Sequence, residues 1–192
     1  MPPSHDMRFD ARTHTYWHGD IQVPGATSIL KNCGLVDDRW FTEESAEKGN
    51  RVHKVIENYV SFGLDSAPED LAGYLEAYKK FEKSEPFKVE ASELLLFHSQ
   101  LFYAGTGDLF GEYDGDLTYI DVKSGVKCRE HAWQSAGYAE AFRHETGRNV
   151  KRRFGLHLRA DGKYSLVPHN GISDLAIFLA AATVEKAKRG LI

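Results

Sequence analysis

Residues 105–123 read GTGDLFGEYDGDLTYIDVK, and this stretch decides the fold. Asp114-Gly115 is a two-residue hairpin signal set between two runs of alternating apolar residues. Leu101–Tyr113 before it and Asp116–Lys123 after it read as antiparallel strands. A tight turn there pairs residues whose numbers sum to 229, which sets Asp108 opposite Asp121. Directly opposed residues have Cβ atoms roughly 4.5–5.5 Å apart. Two carboxylates that close repel each other unless a cation lies between them. Lys123 follows Asp121 by two residues and so shares its face of the strand.

Working outward, Val89–His98 reads as a further strand, with Glu93 as a carboxylate in an otherwise apolar run. Burying that charge without a partner is costly, which points to a cation nearby. Downstream, His131–Thr146 reads as a helix with Gln134 and Tyr138 one turn apart on one face. Arg153–Arg159 and Lys163–Val167 form a second hairpin across Asp161-Gly162. A last helix, capped by Ser173 or Asp174, runs to Lys188 and ends at Gly190. Upstream, residues 7–24 suggest a small hairpin or three-stranded flap with a turn near Gly19-Asp20. Ala26–Cys33 reads as a short helix stopped by Gly34. Thr42 to Phe62 is a long helix with Val52, Val55, Ile56, Tyr59 and Val60 as its apolar stripe and His53 inside it. Pro68 opens another helix, with Leu71, Leu75 and Tyr78 on its buried face, which ends before Pro86.

The order is helices, a β-meander, a crossover helix, two strands and a helix. It predicts a mixed α/β (α+β) sheet of about five strands flanked by helices. The chain reads as one domain over 1–192. Residues 1–85 form an N-terminal flap and helices, 86–170 the core, and 171–192 a C-terminal helix. A chain of 192 residues, 42% apolar and 27% charged, has the composition of an ordinary soluble globule. Cys33 and Cys128 are too few for a disulfide framework or a four-cysteine iron–sulfur cluster. No apolar run nears the ~20 residues of a membrane span. Residues 1–6 lack the basic-then-apolar pattern of a signal peptide, so a cytoplasmic location is expected.

The two opposed carboxylates with an adjacent ammonium predict metal-assisted phosphodiester hydrolysis. The acids bind a divalent ion, and the lysine holds the attacking water and stabilises charge on the phosphate. The net charge of −4 stands against a nucleic-acid partner. Bound cations and two local basic clusters offset it: Lys123, Lys127 and Arg129, then Arg148, Lys151, Arg152 and Arg153. Gly105-x-Gly107-x-x-x-Gly111 misses dinucleotide-binding spacing and leads into a hairpin. His14 and His18 read as surface residues. No Gly-x-x-x-x-Gly-Lys-Ser occurs, so ATP use is not expected.

As a set, these residues resemble the PD-(D/E)XK nuclease superfamily, and most nearly its RecB-like, phage-type exonuclease branch. The resemblance covers about residues 20 to 145. It rests on Pro24-x-x-Thr27-x-Ile29-Leu30, Gly49-x-x-x-His53, Glu93, Ala104-Gly105-Thr106-x-Asp108, Asp121-x-Lys123 and Gln134-x-x-x-Tyr138. It implies a restriction-endonuclease-like core and a Mg²⁺- or Mn²⁺-dependent DNA exonuclease, with one or two ions, leaving 5′-phosphates in recombination, repair or replication. By the same resemblance, His53, Asp108, Asp121 and the Val122 carbonyl would hold the metal and Lys123 would be the catalytic lysine. Glu93 would assist from the edge through water. Gln134, Tyr138 and Ser124, which stands where threonine is commoner, would meet the substrate. DNA with a free end is the implied partner, with a strand-annealing protein or a helicase beside it. The rivals are a catalytically silent DNA-binding or assembly module of the same fold and a structure-specific endonuclease.

Overall fold

A computed structural model of the chain describes residues 6–37 and 42–191. Residues 1–5, part of the stretch read for a leader, lie outside the described residues. The chain opens with three short antiparallel strands, β1 (Met7–Asp10), β2 (Thr15–His18) and β3 (Ile21–Val23), which form the expected flap. Helices α1 (Ala26–Asn32), α2 (Glu43–Phe62) and α3 (Ala72–Ser84) follow. A five-stranded sheet comes next, its strands in sequential order: β4 (Phe87–His98), β5 (Tyr103–Tyr113), β6 (Asp116–Lys123), β7 (Arg152–Leu158) and β8 (Tyr164–Pro168). Helix α4 (Glu130–Thr146) makes the crossover between β6 and β7, which pair in parallel. The other pairings are antiparallel, and α5 (Asp174–Lys188) ends the fold. This is the mixed α/β class, about five strands flanked by helices, that the sequence predicts.

Each face of the sheet is covered. Helices α2 and α3 bring Val52, Val55, Ile56, Leu75, Tyr78 and Phe81 onto Leu109, Ile120, Val122, Leu156 and Leu158. Helices α1, α4 and α5 bring Ile29, Leu30, Ala141, Phe142 and Phe178 onto Leu96, Tyr103, Phe110 and Tyr119. The even and odd residues of β6 divide between these cores, as the two-residue period of a strand requires. Full burial of each large side chain contributes about 1.5–3 kcal/mol. The flap packs separately, with Tyr16 and Val23 against Phe97 and Ala104.

Two departures from regular strand geometry place the site. The alternation changes phase at Glu93: Ser92 hydrogen-bonds Ser61 of α2, whereas Leu94 packs with the α1/α4/α5 cluster. Residues two apart normally share a face. The flip is made by Glu93 itself, whose φ is 49°. The neighbouring pairs Ser92–Leu109 and Leu94–Gly107 set Glu93 across from Asp108. Between β5 and β6 the 229 register holds from Tyr113–Asp116 to Leu109–Ile120, where the regular pairing ends. At the next position the Asp108 carboxylate, not its backbone, reaches β6.

Smaller differences have local causes. The helix predicted from Pro68 begins as a 3₁₀ turn, Glu69–Leu71, before α3. Strand β5 starts at Tyr103 because Phe102 turns the chain with φ 54°. At α5, Ser173 occupies the cap position without a side-chain hydrogen bond; Asp174 instead accepts from the Gly171 N–H and pairs with Arg153. His18, expected at the surface, is half-buried, with its ring stacked on Phe97 at 5.0 Å.

Candidate active site

The site forms where β4, β5 and β6 run under the middle of α2. Helix α2 is long enough to reach there because its start is fastened. Thr42 Oγ1 accepts the Ser45 N–H and Ser45 Oγ accepts the Thr42 N–H, a reciprocal cap, and Gly63 closes the other end at φ 67°. His53 lies on the inward side between the buried Val52 and Val55. Its Nδ1 is 3.4 Å from Asp108 Oδ1. The other oxygen of Asp108 accepts the Val122 N–H at 2.6 Å, so this carboxylate bridges α2 and β6.

His53, Glu93 and Asp108 each offer a donor atom, and the three atoms lie within 4.8 Å of one another. Among the described residues this is the group of that kind. Its electrostatics are those of crowded acids. Burial, then the Asp108 charge, pushes Glu93 up to about 8. Burial alone would lower His53, yet the Asp108 carboxylate raises it overall. Burial would raise Asp108, but His53, Lys123 and the Val122 N–H hold it below the usual carboxylate range. A carboxyl that is hard to ionise beside one that stays ionised is the pattern expected where a cation belongs.

Asp121 is 1% exposed and lies one strand over. Its Oδ1 accepts from Lys123 Nζ at 3.0 Å and from the Tyr119 hydroxyl at 3.2 Å, and its Oδ2 lies 2.9 Å from the same ammonium. Tyr119, Asp121 and Lys123 therefore act together along one face of β6, as the period of two allows. Burial would lower the Lys123 pKa, but Asp121 and Asp108 raise it overall, so the ammonium stays charged. Lys123 also donates to Gln134 Oε1 at 3.3 Å. Gln134 Nε2 in turn donates to the Tyr138 hydroxyl at 3.1 Å and to Thr27 Oγ1 at 2.5 Å.

Tyr138 packs over β5 because Gly105 has no side chain; a Cβ there would stand 2.2 Å from the Tyr138 ring. Ser124 follows Lys123 at the strand end, with its hydroxyl facing Gly49 of α2.

The residues predicted from the sequence thus gather at one place, but in a different grouping. Glu93 stands with His53 and Asp108 rather than at the edge. Asp121 is engaged by Lys123 and Tyr119. The Val122 group in contact is its N–H, held by Asp108. The sequence reading did not single out Tyr119, although its place two residues before Asp121 marks it by strand period. Thr27 stood in a quoted motif without a role. Three histidines, His131, His157 and His169, feel the Lys123 charge; each pKa is lowered first by burial, and Lys123 lowers it further. No spacing rule connects those three in the sequence. The basic cluster at 148–153 is largely neutralised: Arg148 pairs with Glu90, Arg152 with Asp114 and Asp116, and Arg153 with Asp174.

No family model and no curated protein matches the chain. Among solved structures it resembles a protein from Eubacterium rectale described as a "Putative exonuclease". The TM-score is 0.53 at 12% identity, over 86% of this chain and 74% of that one. The structure of SSO0001 aligns over 87% of this chain and 85% of its own at 13% identity; its TM-score of 0.38 carries no argument. At such identities the likeness concerns the fold alone. The class defined here is a mixed α/β protein whose fold is consistent with that of nucleases.

Proposed function

We propose that this chain is a divalent-cation-dependent nuclease. It hydrolyses DNA phosphodiester bonds from a free end and leaves 5′-phosphates. The observation that carries the reading is the convergence of His53, Glu93 and Asp108 donors within 4.8 Å, from α2, β4 and β5, beside a half-buried, ion-paired Lys123. The resemblance to the PD-(D/E)XK superfamily supports it, as does the fold shared with the protein described as a "Putative exonuclease".

The donor set fits a hard divalent ion. Two carboxylates suit Mg²⁺ and Mn²⁺, and the imidazole inclines the site toward Mn²⁺. Glu93, pushed up to about 8 beside Asp108, would be relieved by a positive charge between them. His53, Glu93 and Asp108 would hold the ion, with Asp121 at the neighbouring position. When bound, it would polarise a phosphate oxygen and acidify a water. The chain's own groups do the rest. Asp121 keeps Lys123 protonated and directs it, and the ammonium stabilises charge building on the phosphate. Gln134, fixed by Tyr138 and Thr27, limits where Lys123 Nζ can swing. The Tyr119 hydroxyl donates to the same Asp121 oxygen and helps to fix it.

Digestion of end-labelled single- and double-stranded DNA beside closed circular DNA, with Mn²⁺ or Mg²⁺ and with EDTA, tests the reading. Linear strands should be degraded only with metal, to products carrying 5′-phosphates, and closed circles should persist. Asp108→Ala and Lys123→Ala should each lower the rate by at least about 10³-fold, in line with removing a pre-organised charge, with circular dichroism unchanged. Cutting of closed circles would favour an endonuclease. Cleavage in EDTA, or full activity in Asp108→Ala, sinks the proposal.

A further inference from the structure

We infer that the cleft leading away from Lys123, between the segment after β6, α3 and the β7–β8 hairpin, seats the phosphate next to the one being cut on the same nucleic-acid strand. The inference rests on the nuclease reading and extends it to how the substrate is gripped. The cleft has a volume of about 540 Å³, and Tyr74, Ser124, Lys127, His157, Arg159 and Lys163 line it. It begins one residue beyond Lys123. Three of its lining residues are cations, in a chain whose net charge is −4. Asp161 pairs with Arg159 at 3.1 Å and with Lys163 at 3.5 Å, which leaves the three cations in excess of that acid. His157, buried at 5% exposure, lies 3.5 Å through Nδ1 from the Gly125 carbonyl. A carbonyl only accepts, so the imidazole donates. That bond ties residues 124–127, and with them Lys127, to β7.

The independent observation is Gly49. A glycine inside a helix costs roughly 0.5–1 kcal/mol relative to alanine. Here no packing requires it: a Cβ at Gly49 would meet only the Ser124 hydroxyl, at 3.9 Å. Gly49 is one turn before His53 on the same face of α2, about 6 Å along the axis. The bare position therefore lies between the acid cluster and the cleft. A missing side chain at such a place lets a ligand backbone approach closely. A strand whose scissile phosphate lies at Asp108 and Lys123 would pass Gly49 and Ser124, and its next phosphate would meet Lys127, Arg159 and Lys163. Neutralising that phosphate releases counterions, so the contact reads out in the salt dependence of binding.

The test uses the full chain, a triple variant (Lys127→Ala, Arg159→Ala, Lys163→Ala) and Gly49→Leu, each checked for an unchanged melting temperature. Binding of a labelled single strand is measured in EDTA across a salt series. Hydrolysis of an oligonucleotide and of thymidine 5′-p-nitrophenyl phosphate is measured with Mn²⁺. The triple variant should bind about tenfold more weakly with a shallower salt slope, as expected for losing one or two phosphate contacts. Its KM for the oligonucleotide should rise with kcat unchanged, while cleavage of the small ester stays at the wild-type rate. Gly49→Leu should weaken binding of the strand as well. Unchanged affinity and salt slope in the triple variant overturn the inference. Wild-type protein that cleaves neither substrate sinks the nuclease reading alone, because the binding arm reads the cleft without cleavage.

Discussion

Glu93 holds φ at 49° inside β4, a conformation that costs a residue bearing a side chain about 1–3 kcal/mol. The surrounding pairs, Ser92–Leu109 and Leu94–Gly107, impose it. The same residue carries a carboxyl that burial and Asp108 push up to about 8. Its folded pKa lies above the unfolded value near 4.5, so its contribution is fully present below about pH 4.5 and is lost as pH rises through about 8. In metal-free protein, Glu93→Gln should therefore raise stability to urea at pH 8 and change little at pH 4.5, while Mn²⁺ binding by calorimetry weakens. A variant less stable than wild type at pH 8 would refute this account of the charge. At Gly105 the constraint is steric. A methyl group would sit 2.2 Å from the Tyr138 ring, so Gly105→Ala should cost about 1–3 kcal/mol in urea unfolding, the scale of overpacking.

At the scale of elements, much was legible. Asp114-Gly115 is flanked by β5 and β6 with the predicted 229 register, because a two-residue turn leaves the pairing no freedom. Helix α2 spans the predicted residues because Thr42, the acidic Glu43 and Glu44, and Gly63 mark its ends. Thr42→Ala removes one half of a reciprocal cap and should cost about 1 kcal/mol. Thermal unfolding monitored by circular dichroism would show the loss, and no change would mean the cap is idle. What strand periodicity could not convey was the phase flip at Glu93. A pattern of alternating residues assumes one backbone twist throughout, and a single positive φ reverses which face follows. The grouping of His53 and Asp108 with Glu93, leaving Asp121 to Lys123, follows from that flip.

For the whole molecule, acid stability turns on buried neutral histidines. Burial lowers His98 to about 4, with the His144 charge adding to it, and His131 and His169 fall to about 3 and 4. His98 Nδ1 accepts the Leu101 N–H, which requires the unprotonated ring nitrogen. Their folded pKa values lie below the unfolded 6.5, so the unfolded chain takes up protons first as pH falls. The chain should lose stability between about pH 6.5 and 4 in denaturant titrations. His98→Gln, which keeps an acceptor but does not titrate, should flatten that slope. An equal slope in the variant would assign the acid loss to other groups.

The amino-acid sequence by itself determined the elements, their order, the mixed sheet and the set of chemically notable residues. Those follow from local rules: turn chemistry, caps, and the periods of helix and strand. Only the tertiary structure decided which acid shares a space with His53, which one the lysine claims, and that Gly49 faces the Ser124 hydroxyl at the end of β6. Those outcomes depend on distances between segments far apart in the chain, set by how α2 crosses the sheet and where one strand turns over. No local pattern encodes them.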